Sequence, residues 1–102
     1  MSIHCNAAGN IEAKGTETFC CNLGGESEKL ATCLQDQIVN TMGTVDRGVK
    51  AGNFAVVRDT ECAAVLVECA FISNIDDEIL LTNNQDDFAK AIARGITDYV
   101  AG

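Results

Sequence analysis

Proline is absent from all 102 residues, histidine occurs once, and the 7 Lys and Arg are outnumbered by 15 Asp and Glu. The lack of proline excludes nothing by itself. The shortage of cations, with a net charge of −8, excludes the clustered basic patch that a phosphate backbone requires. It also opposes docking by charge on an anionic membrane surface. No apolar stretch approaches the ~20 residues that span a bilayer. The longest, from Cys62 to Phe71, is interrupted by Glu68 and has the length of a strand. The opening Met1-Ser2-Ile3-His4 has neither a basic n-region nor an apolar h-region. No signal peptide is expected here; export would use another route or the signal of a longer parent chain. No two of the six cysteines have C-x-x-C spacing, which sets aside a zinc knuckle and a thioredoxin-type motif.

What is present fits an ordinary globular domain. Apolar residues make up 47% and charged residues 22%, and the length suits one domain over residues 1–102 with a modest core. The acidity reads first as solubility. Cys5, Cys62 and Cys69 lie in apolar, strand-like segments, where a thiol packs as a small hydrophobe. Most of the cysteines are expected to be reduced packing residues, because a disulfide framework fits poorly without a secretory signal.

Along the chain, residues 2–8 read as a short strand, and 16–21 (Thr-Glu-Thr-Phe-Cys-Cys) as a second. Gly24-Gly25 interrupts, and a helix follows with Ser27 as N-cap. Its apolar stripe is Leu30, Leu34 and Ile38, with Ala31 and Met42 alongside, and Gly43 is the expected stop. Thr44 to Asn53 reads as a polar loop, Phe54 to Arg58 as a third strand, and Ala63 to Ala70 as a continuously apolar fourth strand buried on both faces. Asp76 to Leu81 is expected to be a short helix. A longer one over 85–100 carries the stripe Phe88, Ile92, Ile96 and Tyr99, capped by Asn84. This alternation predicts an α/β fold with a layered, mixed or mainly parallel sheet flanked by helices.

In such sheets functional side chains collect at strand ends. His4 leaves one strand and Glu68 lies near the end of another. If the strands are neighbours, a metal ligand and a carboxylate meet in one crevice. A zinc-bound water beside a general-base carboxylate can attack an amide. A bland reading stands beside this one. A lone histidine is commonly a plain polar residue, and a glutamate in an apolar strand is equally explained by an ion pair with Arg47 or Arg58.

Several motifs favour the first reading. Ser2-Ile3-His4-Cys5-Asn6-Ala7, Gly15-Thr16-Glu17-Thr18-Phe19, Asp46-Arg47-Gly48-Val49-Lys50 and Phe54-Ala55-Val56-Val57-Arg58 occur in that order. They are followed by Ala64-Val65-Leu66-Val67-Glu68-Cys69-Ala70-Phe71-Ile72-Ser73-Asn74 and, near the end, Ala91-Ile92 with Gly95-Ile96 and Tyr99. Together they resemble the catalytic domain of the zinc-dependent N-acetylmuramoyl-L-alanine amidases of type 3. The resemblance covers nearly the whole chain. It departs at Ala63, where the family usually has proline, and at Ala70, where glycine is common.

The resemblance implies a peptidoglycan hydrolase that cleaves the amide between N-acetylmuramic acid and L-alanine, acting at the cell wall. It implies zinc held by two histidines and a glutamate, with a second glutamate as base. His4 would be the last of the three ligands and Glu68 the catalytic base, with Asn6 and Arg58 lining the substrate groove. Glu17 would be a structural or groove residue. The family's first strand and helix, with its first histidine and its glutamate ligand, have no counterpart here. The chain is therefore expected to be a partial catalytic domain with an incomplete zinc site and an open sheet edge, through which it could form a homodimer. The alternative is a catalytically incomplete module that binds glycan or self-associates. A third reading gives the cysteines a role in redox chemistry or metal storage.

Overall fold

A computed structural model describes residues 1–52 and 63–102. Its elements run β1 (Ser2–Asn6), β2 (Thr16–Cys20), α1 (Glu26–Met42), β3 (Asp46–Ala51), β4 (Val65–Phe71), α2 (Ile75–Asn83) and α3 (Gln85–Ala101). The expected strand from Phe54 to Arg58 lies outside the described residues, as does Cys62. The sheet has the order β1-β4-β2-β3. β1 and β4 are parallel, β2 and β3 are parallel, and β2 and β4 run antiparallel. The mixed α/β sheet expected from the sequence is the one observed.

β4 is buried along almost its whole length, as an apolar run broken only by Glu68 requires. α1 and α3 pack against one another over Val65, Val67, Cys69 and Cys20. Leu34 and Ile38 are fully buried at their centre, each worth about 1.5–3 kcal/mol of transfer free energy. The stripe on α3 differs from the one expected. Phe88 and Ile92 are buried, but Ile96 is exposed, and Ala91 and Gly95 complete the contact face. A Cβ at Gly95 would stand 2.9 Å from the Leu34 Cα and 3.1 Å from the Cys33 carbonyl oxygen. The helices approach so closely that small residues, rather than the larger Ile96, define the seam.

Two local expectations are corrected and a third is refined. Residues 46–51 form a strand and not a loop, the last in order among the described strands. Asp46-Arg47-Gly48-Val49-Lys50 has weak strand propensity, but β2 supplies a template, and cross-strand partners override local preference. The register slips between Thr16/Asp46 and Thr18/Val49, and Gly48 there takes φ +85°, the left-handed geometry a bulge residue needs. The N-cap of α1 is Gly25 and not Ser27; the Ser27 Oγ instead accepts from the Ala64 backbone N–H at 3.0 Å. Asn84 is the N-cap residue of α3 as expected, but without a side-chain cap bond; its amide nitrogen donates to the Leu80 carbonyl at 3.4 Å. Gly43 closes α1 as expected, in the αL conformation with its N–H on the Val39 carbonyl.

The connection from β1 to β2 is tied to the turn after β4. Ala8 N–H donates to Ser73 Oγ (3.1 Å), the Asn74 amide donates to the Ile11 carbonyl (3.0 Å), and Gly15 N–H donates to Asp77 Oδ2 (2.8 Å). These bonds hold together the strand ends that carry His4 and Glu68.

Candidate functional site

The parallel ladder of β1 and β4 places His4 directly beside Glu68, and the antiparallel ladder of β4 and β2 places Glu68 directly beside Glu17. Residues in register share a face, so the three side chains form one row across the sheet, on the side opposite α1. Neighbouring positions on β2 turn to the helix side. There Thr18 Oγ1 donates to Gln35 Oε1, and the Gln35 amide donates to the Thr16 carbonyl and to Asp46 Oδ1.

Glu17 is saturated. Its Oε1 accepts from the Asn6 amide at 2.9 Å, and its Oε2 accepts from Arg47 Nε at 2.9 Å and Lys50 Nζ at 2.6 Å. Burial pushes its carboxyl up, but the hydrogen bonds and charges of Lys50 and Arg47 outweigh that and hold it below the usual carboxylate range. The Arg47 guanidinium also lies over the Phe71 ring, 4.8 Å from its centroid. Arg47 therefore belongs to Glu17, and the ion pair between Glu68 and Arg47 that the sequence allowed does not form. Arg58, the other partner considered and an expected groove residue, lies outside the described residues.

Glu68 is the opposite case. Its Oε2 is buried and makes no hydrogen bond among the described residues. Burial raises its carboxyl above the usual range; His4 opposes that rise and the Glu17 charge adds to it. Leaving a carboxylate oxygen unpaired is costly, and an unpaired buried group of raised proton affinity is a common property of catalytic sites. His4 is exposed on the edge strand, its Nε2 at 2.9 Å from Ser2 Oγ. Asn6 faces the row from the end of β1 and spends its amide on Glu17.

Cys69 packs in the core as expected, its thiol pushed by burial up to about 12, with charge at Cys5 and Glu68 adding. Cys5 does not pack in the core: it is exposed, on a strand that among the described residues has a neighbour on one side only. The sequence placed Asp77 in a closing helix without a further role; it is buried and accepts from both Gly15 N–H (2.8 Å) and Phe71 N–H (2.9 Å). A signal was present: Asn74, three residues earlier, caps α2 by accepting from Asp77 N–H, the spacing of a capping box.

The described residues contain no cluster of three or more His, Cys, Asp or Glu side chains able to hold a metal ion. One exposed imidazole, a carboxylate already bound to two cations and a buried carboxylate do not together make a tetrahedral zinc site. The donors among the described residues do not by themselves fit the ion.

Comparison with known proteins bears on the same residues. Residues 1–98 match the Amidase_3 family model, described as N-acetylmuramoyl-L-alanine amidase. Protein YqiI of Bacillus subtilis is 41% identical over 97% of this chain and 50% of its own length. The N-acetylmuramoyl-L-alanine amidase LytC of the same organism is 36% identical over 97% of the chain and 21% of its own length. The solved catalytic domain of the amidase CwlV from Bacillus (Paenibacillus) polymyxa superposes with a TM-score of 0.89 at 36% identity, over 98% of this chain and 56% of that one. The chain thus spans half or less of the length of these two curated relatives. With 98 residues matched in sequence order and the fold superposed on a solved catalytic domain, the chain belongs to the N-acetylmuramoyl-L-alanine amidase family Amidase_3.

Proposed function

We propose that this chain carries part of the catalytic machinery of a peptidoglycan hydrolase that cleaves the amide between N-acetylmuramic acid and L-alanine. Glu68 is the general base, His4 a ligand to the catalytic zinc, and Asn6 and Arg58 line the groove for the glycopeptide. The observation that carries the reading is the unpaired, buried Glu68 oxygen set in register with His4 on the adjoining strand. A carboxylate in that position takes a proton from water as its oxygen adds to the amide carbonyl carbon. It then returns the proton to the departing alanine nitrogen as the C–N bond breaks. Glu17 is withdrawn from this chemistry by Arg47 and Lys50, so the two carboxylates in the row have separate duties. Zinc takes three protein ligands in a catalytic site; the two besides His4 have to come from outside the described residues. The site of action is the cell wall. No helix among the described residues is long and apolar enough to cross a membrane.

The incomplete donor set among the described residues favours a second reading for the chain on its own: a module that keeps the family fold and binds glycan, or pairs with a second copy through the side of β1 that no described strand covers, without cleaving anything. One assay separates the two. Purified muropeptide is incubated with the chain and zinc, and new L-alanine amino termini are counted against a Glu68→Gln control. Release that vanishes in the variant supports the hydrolase. Release no greater than the variant's, with retained muropeptide binding, supports the module.

A further inference from the structure

Cys5 and Cys69 directly follow His4 and Glu68 on the neighbouring parallel strands β1 and β4. One step beyond a registered pair, both side chains leave the face of the His4–Glu68 row and turn to the helix side of the sheet. There both line one apolar groove of about 370 Å³, with Ile3, Leu81, Phe88 and Ile92. The slip in register between His4 and Asn6 sets Cys5 against the Cys69–Ala70 stretch of β4. Neighbouring strands lie ~4.8 Å apart, inside the ~4.4–6.8 Å Cα separation that a disulfide spans. Both thiols are free, Cys5 open to solvent and Cys69 buried.

We propose that Cys5 and Cys69 form a reversible dithiol–disulfide pair, a modification site that clamps edge strand β1 onto β4 directly behind His4 and Glu68. The oxidant is a small-molecule disulfide. The exposed Cys5 thiolate attacks one of its sulfurs, forming a mixed disulfide and releasing one equivalent of thiol. The Cys69 sulfur then attacks Cys5 Sγ, the Cys5–S–S–Cys69 bond forms, and the second equivalent of thiol leaves. The two cysteines lose two hydrogens and two electrons between them, and the reagent disulfide is reduced to two thiols. Among the described residues β1 pairs with β4 alone, so a covalent tie between them holds the imidazole of His4 at its place in the row.

The test is disulfide mapping of the purified chain after incubation with oxidised glutathione, against a sample kept in dithiothreitol. Remaining thiols are alkylated in denaturant before digestion. The expected result is a Cys5 peptide covalently joined to the Cys69 peptide and a Tm higher by on the order of 10 °C than in the reduced chain. Dithiothreitol reverses both, and neither appears in Cys5→Ser, whose change lies at an exposed position. Three results overturn the proposal: Cys5 retained as the glutathione adduct while Cys69 is fully alkylated, Cys5 joined to the Cys5 of a second chain, or either residue joined to another cysteine. The mapping reads covalent structure and is independent of any hydrolytic activity.

Discussion

Glu17 and Glu68 face each other directly across the antiparallel ladder of β2 and β4, and the fold treats them in opposite ways. Two cations and an amide converge on Glu17, while Glu68 keeps a buried oxygen with no partner among the described residues. One carboxylate is held charged and static, and its neighbour is left with unspent capacity for a proton.

Glu17→Gln is expected to lower stability at neutral pH by about 1–3 kcal/mol, since charge-assisted bonds to Arg47 and Lys50 are lost while both cations retain solvent. The sign of the pH dependence follows from its lowered folded-state value. The contribution is complete above the ordinary carboxylate value of 4.5 and is lost as pH falls through the folded one. Urea midpoints of wild type and Glu17→Gln should therefore converge in acid and separate above pH 5. Parallel curves across that range would contradict the assignment.

Glu68→Gln should behave in the reverse sense. The raised carboxyl stabilises the fold below its ordinary value and loses that contribution as pH rises through the folded one. The variant is expected to match or exceed wild-type stability at pH 8 and to lose hydrolysis of muropeptide where wild type shows any. Denaturation at pH 8 together with the amino-terminus assay checks both halves. A clearly less stable variant would mean that the carboxylate has a structural partner.

Asp77→Ala removes the acceptor of two buried amides, Gly15 N–H and Phe71 N–H. Each orphaned donor costs about 1–3 kcal/mol. The loss should also loosen the β1–β2 connection, seen as faster amide exchange at Gly15 and Phe71 than in Asp77→Asn, which keeps an acceptor.

Gly15→Ala meets two obstacles. The residue has φ +117°, and an added Cβ would lie 2.4 Å from the Val45 carbonyl oxygen. The backbone strain alone is on the order of 1–3 kcal/mol. Gly95→Ala keeps a helical backbone but drives a methyl into α1 at Leu34, at about 1–3 kcal/mol of overpacking. Thermal melts should rank Gly15→Ala as the more damaging.

Much of this molecule is legible along the chain. The apolar run of β4, the Leu30–Leu34–Ile38 stripe of α1 and the glycine stop at Gly43 are local patterns, each with one physical solution. The motifs that carry the family resemblance stand in order, and they single out His4 and Glu68 without any coordinates. Residues 46–51 are not legible in this way, because their strand exists only where β2 offers a hydrogen-bonding edge to Asp46-Arg47-Gly48-Val49-Lys50.

The sequence by itself determined which segments must be buried, where helices end and which family the chain resembles, because periodicity, chain breaks and motifs are properties of neighbours along the chain. Only the tertiary structure decided that Arg47 pairs with Glu17 and leaves Glu68 open, that Gly95 and not Ile96 seats α3 on α1, and that Asp77 ties two distant turns together. Those outcomes depend on strand register and helix approach, which bring together residues thirty to sixty positions apart. Pairings over such separations are settled by the geometry of the packed chain, which brings Arg47 onto Glu17 and not onto Glu68.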